Sequence, residues 1–335
     1  MNRIGEALCA ALATGGRAAS SGACDTLTRS EWHAVAALAR QQRVGPLLSS
    51  RNPPCPDDVR AVLRAGAEAS SCRALMHKAA YRELTAAATA RGISLVALKG
   101  LHLATTMYAS PGLREMNDID VLVRPDQVAA LSDVARELGY RPLREVPVPV
   151  ALKVGHHLPR FRKNLVSLEV HWRLGPPGSE PRVEPGELWA LTAPFPQGAG
   201  VSLVPEALLV HVCAHAAMHH FEQGLRPLCD VQAILRRPSG GFTWPLMLHL
   251  ARRWQCERSV ALVLSLSHDT LGVEVPEAVM HSLAAHRPSA GLRRLALTHT
   301  LSDVSQVYDT PPAAGQLLST PGVRGKVQHV WTHVW

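Results

Sequence analysis

From residue 1 to about 90 the apolar positions of the chain recur at helical spacing. Thr28-Arg29-Ser30-Glu31 carries a start signal for a helix running to about Gln41, and Pro56-Asp57-Asp58 opens another. The longest helix is expected from about Ser70 to Arg91, stopped by Gly92. The pattern then changes. Ile93 to Leu98 is a short β-branched and apolar run that passes through Lys99-Gly100 into a helical segment, Leu101 to Tyr108. Ile119 to Val123 and Leu165 to Trp172 alternate with period two, and a helix opened by Pro125 ends at Leu138-Gly139.

A cluster of Pro and Gly between Gly175 and Gly200 surrounds one short helix near Leu188-Trp189 and marks the strongest boundary in the chain. Helical periodicity returns at Pro205-Glu206 and continues to about His220. It recurs over Leu225 to Arg236, Trp244 to Trp254, Arg258 to Leu271, Pro276 to Ala285 and Leu292 to Val307. The expected organisation is α+β. An N-terminal helical region (1–92) precedes a small mixed-sheet core (93–174), and a Pro/Gly-rich connection (175–204) leads to a C-terminal helical domain (205–335). The segment Gly315 to Trp335 carries no clear pattern, and Trp331 and Trp335 are expected to dock on the body or on a partner.

The strand around Asp118-Ile119-Asp120-Val121 carries the most chemistry. Two carboxylates two residues apart share one strand face, while Ile119, Val121 and Val123 take the other. An unpaired carboxylate costs several kcal/mol to bury, so a pair on one face calls for a countercharge such as Mg²⁺ or Mn²⁺; the bland reading is a solvated strand end. A third carboxylate, Glu169, shares a strand face with Ser167 and His171 and is expected to join the two aspartates across neighbouring strands. Upstream, a strand, a glycine and a helix start at Lys99-Gly100 present free backbone N–H groups and a positive dipole end to phosphate oxygens. Lys99 adds a point charge, although an ordinary strand-to-helix turn has the same local pattern.

These residues as a set resemble the uncharacterised nucleotidyltransferase family of bacteria, within the DNA polymerase β-type superfamily. The resemblance rests on Leu98-Lys99-Gly100, Tyr108, Pro111-Gly112-Leu113-Arg114, Asp118 to Pro125 and Leu168-Glu169-Val170-His171-Trp172. It continues through Leu203 to Glu206 and Leu225 to Asp230, and so covers roughly residues 75 to 285. It implies Mg²⁺-dependent (or Mn²⁺-dependent) transfer of a nucleoside monophosphate from an NTP, with release of pyrophosphate. Asp118, Asp120 and Glu169 would be catalytic and metal-binding residues, and Lys99, Gly100 and Arg114 would hold the nucleotide. The chain departs from the superfamily in one place, because Gly100 is followed by Leu101 and His102 rather than by a second glycine or serine. Lys99 and Arg114 are therefore expected to carry more of the phosphate grip.

His211, His215 and His219 recur every fourth residue beside the stripe of Leu208, Val212 and Ala216. They fit an active-site wall or a polar seam better than zinc, since no H-E-x-x-H and no cysteine pair completes a site. An acceptor pocket is expected from His171, His215, His219 and Asp230. His156-His157, beside Arg160 and Arg162, is expected to be an exposed basic loop with phosphate contact as the alternative.

Composition narrows the partners. At 335 residues and 47% hydrophobic, the chain buries a good core, and Lys+Arg 35 against Asp+Glu 27 gives +8, which suits anionic ligands. No dense basic patch with interleaved aromatics is present, which counts against a nucleic-acid acceptor. Seven scattered cysteines without C-x-x-C fit reduced thiols, and no signal peptide or membrane span is expected; both features point to the cytoplasm. The expected acceptor is a hydroxyl or phosphate of a small molecule or a modified natural-product peptide. Two alternatives stand beside it: a non-catalytic nucleotide-binding or interaction protein of the same fold, and an RNA-directed nucleotidyltransferase.

Overall fold

The computed structural model describes residues 2–14, 22–195, 200–219, 221–236 and 241–301. Its centre is a seven-stranded mixed sheet of order β3-β4-β5-β2-β1-β7-β6. The strands are β1 (Val96–Ala97), β2 (Ile119–Leu122), β3 (Arg141–Pro142), β4 (Phe161–Lys163), β5 (Val166–His171), β6 (Thr192–Pro194) and β7 (Val201–Leu203). Strand β2 runs antiparallel to β1 and parallel to β5, and β7 runs parallel to β1. Helices flank this sheet on both sides, so the fold is α+β as expected.

Alternation along β2 and β5 sorts their side chains into two layers. Ile119, Val121, Val123, Leu168, Val170 and Trp172 pack with Tyr81, Leu84 and Ala88 of the long N-terminal helix and with Leu131 and Val134 of the helix Val128–Glu137. Leu122 packs the other way, in a cluster with Leu203, Leu208 and Val212. That second cluster also unites the N-terminal helices, through Leu8, Trp32 and Leu48, with the C-terminal ones, through Trp254 and Leu264. The two ends of the chain thus share one core over the face of the sheet that carries the carboxylates.

Several elements follow their sequence signals closely. Thr28 caps the helix Arg29–Gln41 through a reciprocal capping box with Glu31. Pro205 opens the helix Pro205–Met218, and almost every residue of that helix from Glu206 to Ala216 is buried, so it is a central strut rather than an amphipathic cover. The helices Arg226–Arg236, Trp244–Arg253, Glu257–Leu271 and Glu277–Ser282 fall where the periodicity puts them.

Others differ. The two helices expected across residues 56–91 are a single helix, Asp57–Thr89, of 33 residues. Gly66, inside it, costs only about 1 kcal/mol against alanine, too little to end a helix held by packing along its length. The strand expected from Ile93 to Leu98 is regular strand only at Val96–Ala97, with single backbone bonds at Leu95 and Leu98, and Asp118 lies just before β2 rather than in it. The Pro/Gly-rich stretch 175–204 holds the expected short helix, Pro185–Ala190, together with β6 and β7, which extend the sheet beyond β1. The last described helix is Ala290–Leu301; its expected extension to Val307, with Trp331 and Trp335, lies outside the described residues.

Candidate active site

Parallel pairing of β2 with β5 sets Asp120 directly opposite Glu169 and Leu122 opposite His171. Residues in register on one face of a sheet stand about 5 Å apart, so the two carboxylates are forced together by backbone pairing. Their ligand atoms and that of His171 all lie within 4.8 Å of one another. His171 Nε2 is 3.5 Å from Asp120 Oδ1 and 3.4 Å from Glu169 Oε2, and neither of its ring nitrogens makes a well-formed hydrogen bond. Asp118, one residue before the strand, joins the group through Arg160. The Arg160 guanidinium donates to Glu169 Oε1 at 2.6 Å and reaches Asp118 Oδ2 at 3.5 Å.

The mouth of the site is the turn into the helix Lys99–Thr106. Leu98 N–H donates to the Asp120 carbonyl at 3.0 Å and fixes that turn against β2. No side chain caps the helix, so its first N–H groups are left without a side-chain acceptor. Lys99 Nζ lies 3.6 Å from Asp120 Oδ2. Gly112 controls the approach of the chain from Arg114 to Asp118: a Cβ there would sit 2.7 Å from the Cα of Ser71, on the long helix.

Charge balance follows from this geometry. Burial, with Asp120 and Glu169 alongside, pushes the Asp118 carboxyl up to about 6. Burial also acts on Asp120, but Lys99 and His171 override it and hold that carboxyl well below the usual range. Glu169 is likewise held low, against burial, by His171 and Arg160. His171 is buried yet raised by the same two carboxylates. Asp120 Oδ1 is buried without a hydrogen-bond donor. Three crowded carboxylates, one carrying an unsatisfied inward oxygen, fit a divalent cation held by oxygen ligands with one imidazole beside them.

Further histidines lie around His171 and along the helix Pro205–Met218. His156 and His157 pack on His171 with ring centroids 5.7 Å and 4.9 Å away, so they form part of the site wall rather than the expected exposed loop. Burial and the neighbouring His157 and His171 push His156 down to about 3. His211 is buried with its Nδ1 unpartnered, and burial with nearby Lys99 pushes both it and His215 well down. His219 stacks against His215 at 4.2 Å, one turn farther along.

The remaining expected site residues pair with each other. Arg114 is almost fully buried and donates from Nε and Nη2 to Asp230 at 2.7 and 2.8 Å, while Tyr108 Oη donates to the same carboxylate at 2.8 Å. Asp230 is therefore filled by Arg114 and Tyr108. Its partner also lines the turn: Arg114 Nη1 would lie 3.5 Å from a Cβ on Gly100. Sequence reasoning put His156 and Arg160 on an exposed basic loop, with phosphate contact as the alternative, and it did not single out His211 from its repeat. Their only prior signals were a basic residue beside a histidine pair and helical spacing, and neither says which face turns inward.

All seven cysteines are free, and no described helix is long and apolar enough to cross a membrane. No curated protein and no solved structure matches the chain significantly. One family model does match, that of the uncharacterised nucleotidyltransferases, over residues 28–272. The match takes in the long helix, the whole sheet, the carboxylate cluster and the helices that carry His211 and Asp230, and by it the chain belongs to the uncharacterised nucleotidyltransferase family.

Proposed function

We propose that this protein is a metal-dependent nucleotidyltransferase that moves an NMP from an NTP to a hydroxyl or phosphate of a small molecule or modified peptide. The observation that carries the reading is the β2–β5 register, which brings Asp120, Glu169 and His171 together beside an uncapped helix start and Lys99. Asp120 and Glu169 would hold Mg²⁺ or Mn²⁺, with Asp118 completing the set. When bound, the cation supplies charge neutralisation at the α-phosphate and at the departing pyrophosphate. Lys99 and the N–H groups at Gly100 and Leu101 receive the phosphate oxygens and orient the chain of phosphates.

The acceptor oxygen attacks the α-phosphorus in line; an oxygen–phosphorus bond forms as the bond to the β-phosphate bridging oxygen breaks, and pyrophosphate leaves. The acceptor proton passes to a carboxylate. Glu169 is fastened by Arg160 and His171, which favours Asp118, the most exposed of the three, as its receiver. His156, His211 and His215 lie near the reacting centre and, kept neutral, add polar contacts without repelling a cation.

A second reading has its own observation. Arg160 lies across Glu169 and Asp118, where a cation would also sit, which favours a protein that binds nucleotide without turning it over. Incubation with each α-labelled NTP, Mg²⁺ or Mn²⁺ and host extract, with Asp118→Asn and Asp120→Asn in parallel, tests both. Label appearing on a product only with the unsubstituted protein supports transfer; Asp120→Asn is expected to lower it on the order of a thousandfold. Full activity in Asp120→Asn sinks the assignment. Nucleotide binding without any product favours the second reading.

A further inference from the structure

Arg226 opens the helix Arg226–Arg236 and is only 8% exposed. Its partners are neutral. Nη1 donates to the Glu115 carbonyl at 3.3 Å, Nη2 donates to Gln223 Oε1 at 2.8 Å, and Nε is buried with no acceptor. Among the described residues no carboxylate forms an ion pair with it, in contrast to the neighbouring Arg114, which is paired through two hydrogen bonds. Enclosing a cation that no ion pair meets costs several kcal/mol, and Asp230, Asp118 and Glu115 act on it only from beyond ion-pair distance, so a closer negative group would be favoured at this point. Burial and the adjacent Arg114 push the guanidinium down to about 10, which still leaves it charged at neutral pH.

The position of the guanidinium identifies that group. Glu115, which receives Arg226 Nη1, lies three residues before Asp118. Arg226 feels the charges of Arg114, Asp230, Arg43 and Asp118, the Glu115 carboxylate feels that of Arg226, and His215 feels those of Lys99 and Arg226. Arg114 in turn borders Gly100 at the uncapped start of the helix Lys99–Thr106. A helix start, Lys99, two buried guanidinium groups and a buried imidazole therefore converge beside the carboxylates. The turn itself is closed by Leu101, which is buried and offers no side-chain donor.

We infer that Arg226 is a binding residue for the triphosphate of the nucleotide, a planar donor fork from the C-terminal helices that reinforces the short backbone turn at Gly100. The inference rests on the nucleotidyltransferase reading of the site. It assigns to Arg226 that closer negative group, and to the Arg114–Asp230 pair the task of holding a second guanidinium beside it. A guanidinium fork suits phosphate oxygens geometrically, and Lys at the same place keeps the charge but loses the paired donors.

Arg226→Met and Arg226→Lys, compared with the unsubstituted protein, provide the test. Affinity for inorganic tripolyphosphate without metal, and for an NTP analogue blocked at the α,β-bridge with Mg²⁺, is measured by calorimetry. Arg226→Met is expected to weaken both by about tenfold to a hundredfold, and Arg226→Lys by less. The thermal midpoint of ligand-free Arg226→Met is expected to hold or rise, because a buried charge without an ion pair is gone. A lower midpoint with unchanged tripolyphosphate affinity overturns the inference in favour of a packing role. Weakened tripolyphosphate binding with unchanged affinity for the NTP analogue also overturns it, since the anion then comes from elsewhere. Should Arg226→Met fail to fold, Arg226→Lys decides alone, and equal affinity for both ligands overturns the inference. Arg226-dependent triphosphate binding in a protein that transfers no label leaves the inference standing while the proposed reaction fails.

Discussion

Two regions of the site bury charge in opposite proportions. On the carboxylate face of β2 and β5, Asp118, Asp120 and Glu169 are met by Lys99, Arg160 and a shared His171, and one aspartate oxygen still lacks a donor. At the seam between the sheet and the C-terminal helices, Arg114 takes both oxygens of Asp230 and Arg226 is left with neutral acceptors. The first region leaves a buried carboxylate oxygen without a donor, and the second a buried guanidinium nitrogen without an acceptor. On the proposed reading a metal-bound nucleotide would meet both at once, and the mismatch is then preorganisation for a ligand rather than a defect of packing.

The largest effect should come from breaking the seam. Asp230→Asn leaves Arg114 buried without a countercharge and is expected to lower stability by about 3–5 kcal/mol, measured by denaturant unfolding. The double variant Arg114→Met/Asp230→Leu should recover most of that loss, because the pair is then replaced by apolar volume; no recovery would mean that Asp230 acts through Tyr108 instead. Next in size, Gly112→Ala is expected to cost about 1–3 kcal/mol, since its methyl group meets the backbone of the long helix at Ser71. An unchanged thermal midpoint would show that the loop carrying Arg114 and Asp118 yields freely.

Titration sharpens the carboxylate side. Asp118 is raised to about 6 from an ordinary 3.8, so the ligand-free fold binds its proton more tightly than the unfolded chain does. The stability from that proton is present below about pH 4 and is lost as pH rises through 6. On the proposed reading, a cation that includes Asp118 among its ligands has to displace the same proton. Apparent Mn²⁺ affinity, followed by calorimetry, is therefore expected to fall by about tenfold per pH unit below 6 and to level off above it. Affinity independent of pH between 5 and 7 would remove Asp118 from the ligand set. The smallest effect belongs to Lys99, which meets Asp120 and whose charge also reaches His215. Lys99→Met should tighten metal binding and weaken tripolyphosphate binding, each by roughly threefold to tenfold; the same sign for both would separate Lys99 from one of the two.

Legibility in the sequence followed the range of the interactions. The capping box at Thr28 and Glu31, the helix opened by Pro205 and the shared face of Ser167, Glu169 and His171 are local patterns, and they appear in the structure where the residues put them. The family resemblance was also legible, although the match reaches back to residue 28 and takes in the helix Arg29–Gln41. The two helices expected across residues 56–91 are one, because packing along its length carries the helix through Gly66. Strands β6 and β7 were hidden because a run of Pro and Gly marks turns without excluding short strands between them.

By itself the sequence determined which residue types stand on which strand face, where most helices begin and the family to which the chain belongs. Only the tertiary structure decided that Asp120 meets Glu169 in register, that Arg114 pairs with Asp230 across 116 positions of sequence and that Arg226 has no such ion pair among the described residues. The physical reason is that periodicity and capping are set within a turn or two of chain. Burial and charge pairing depend on what folding brings alongside, and residues far apart in sequence supply the partner or fail to.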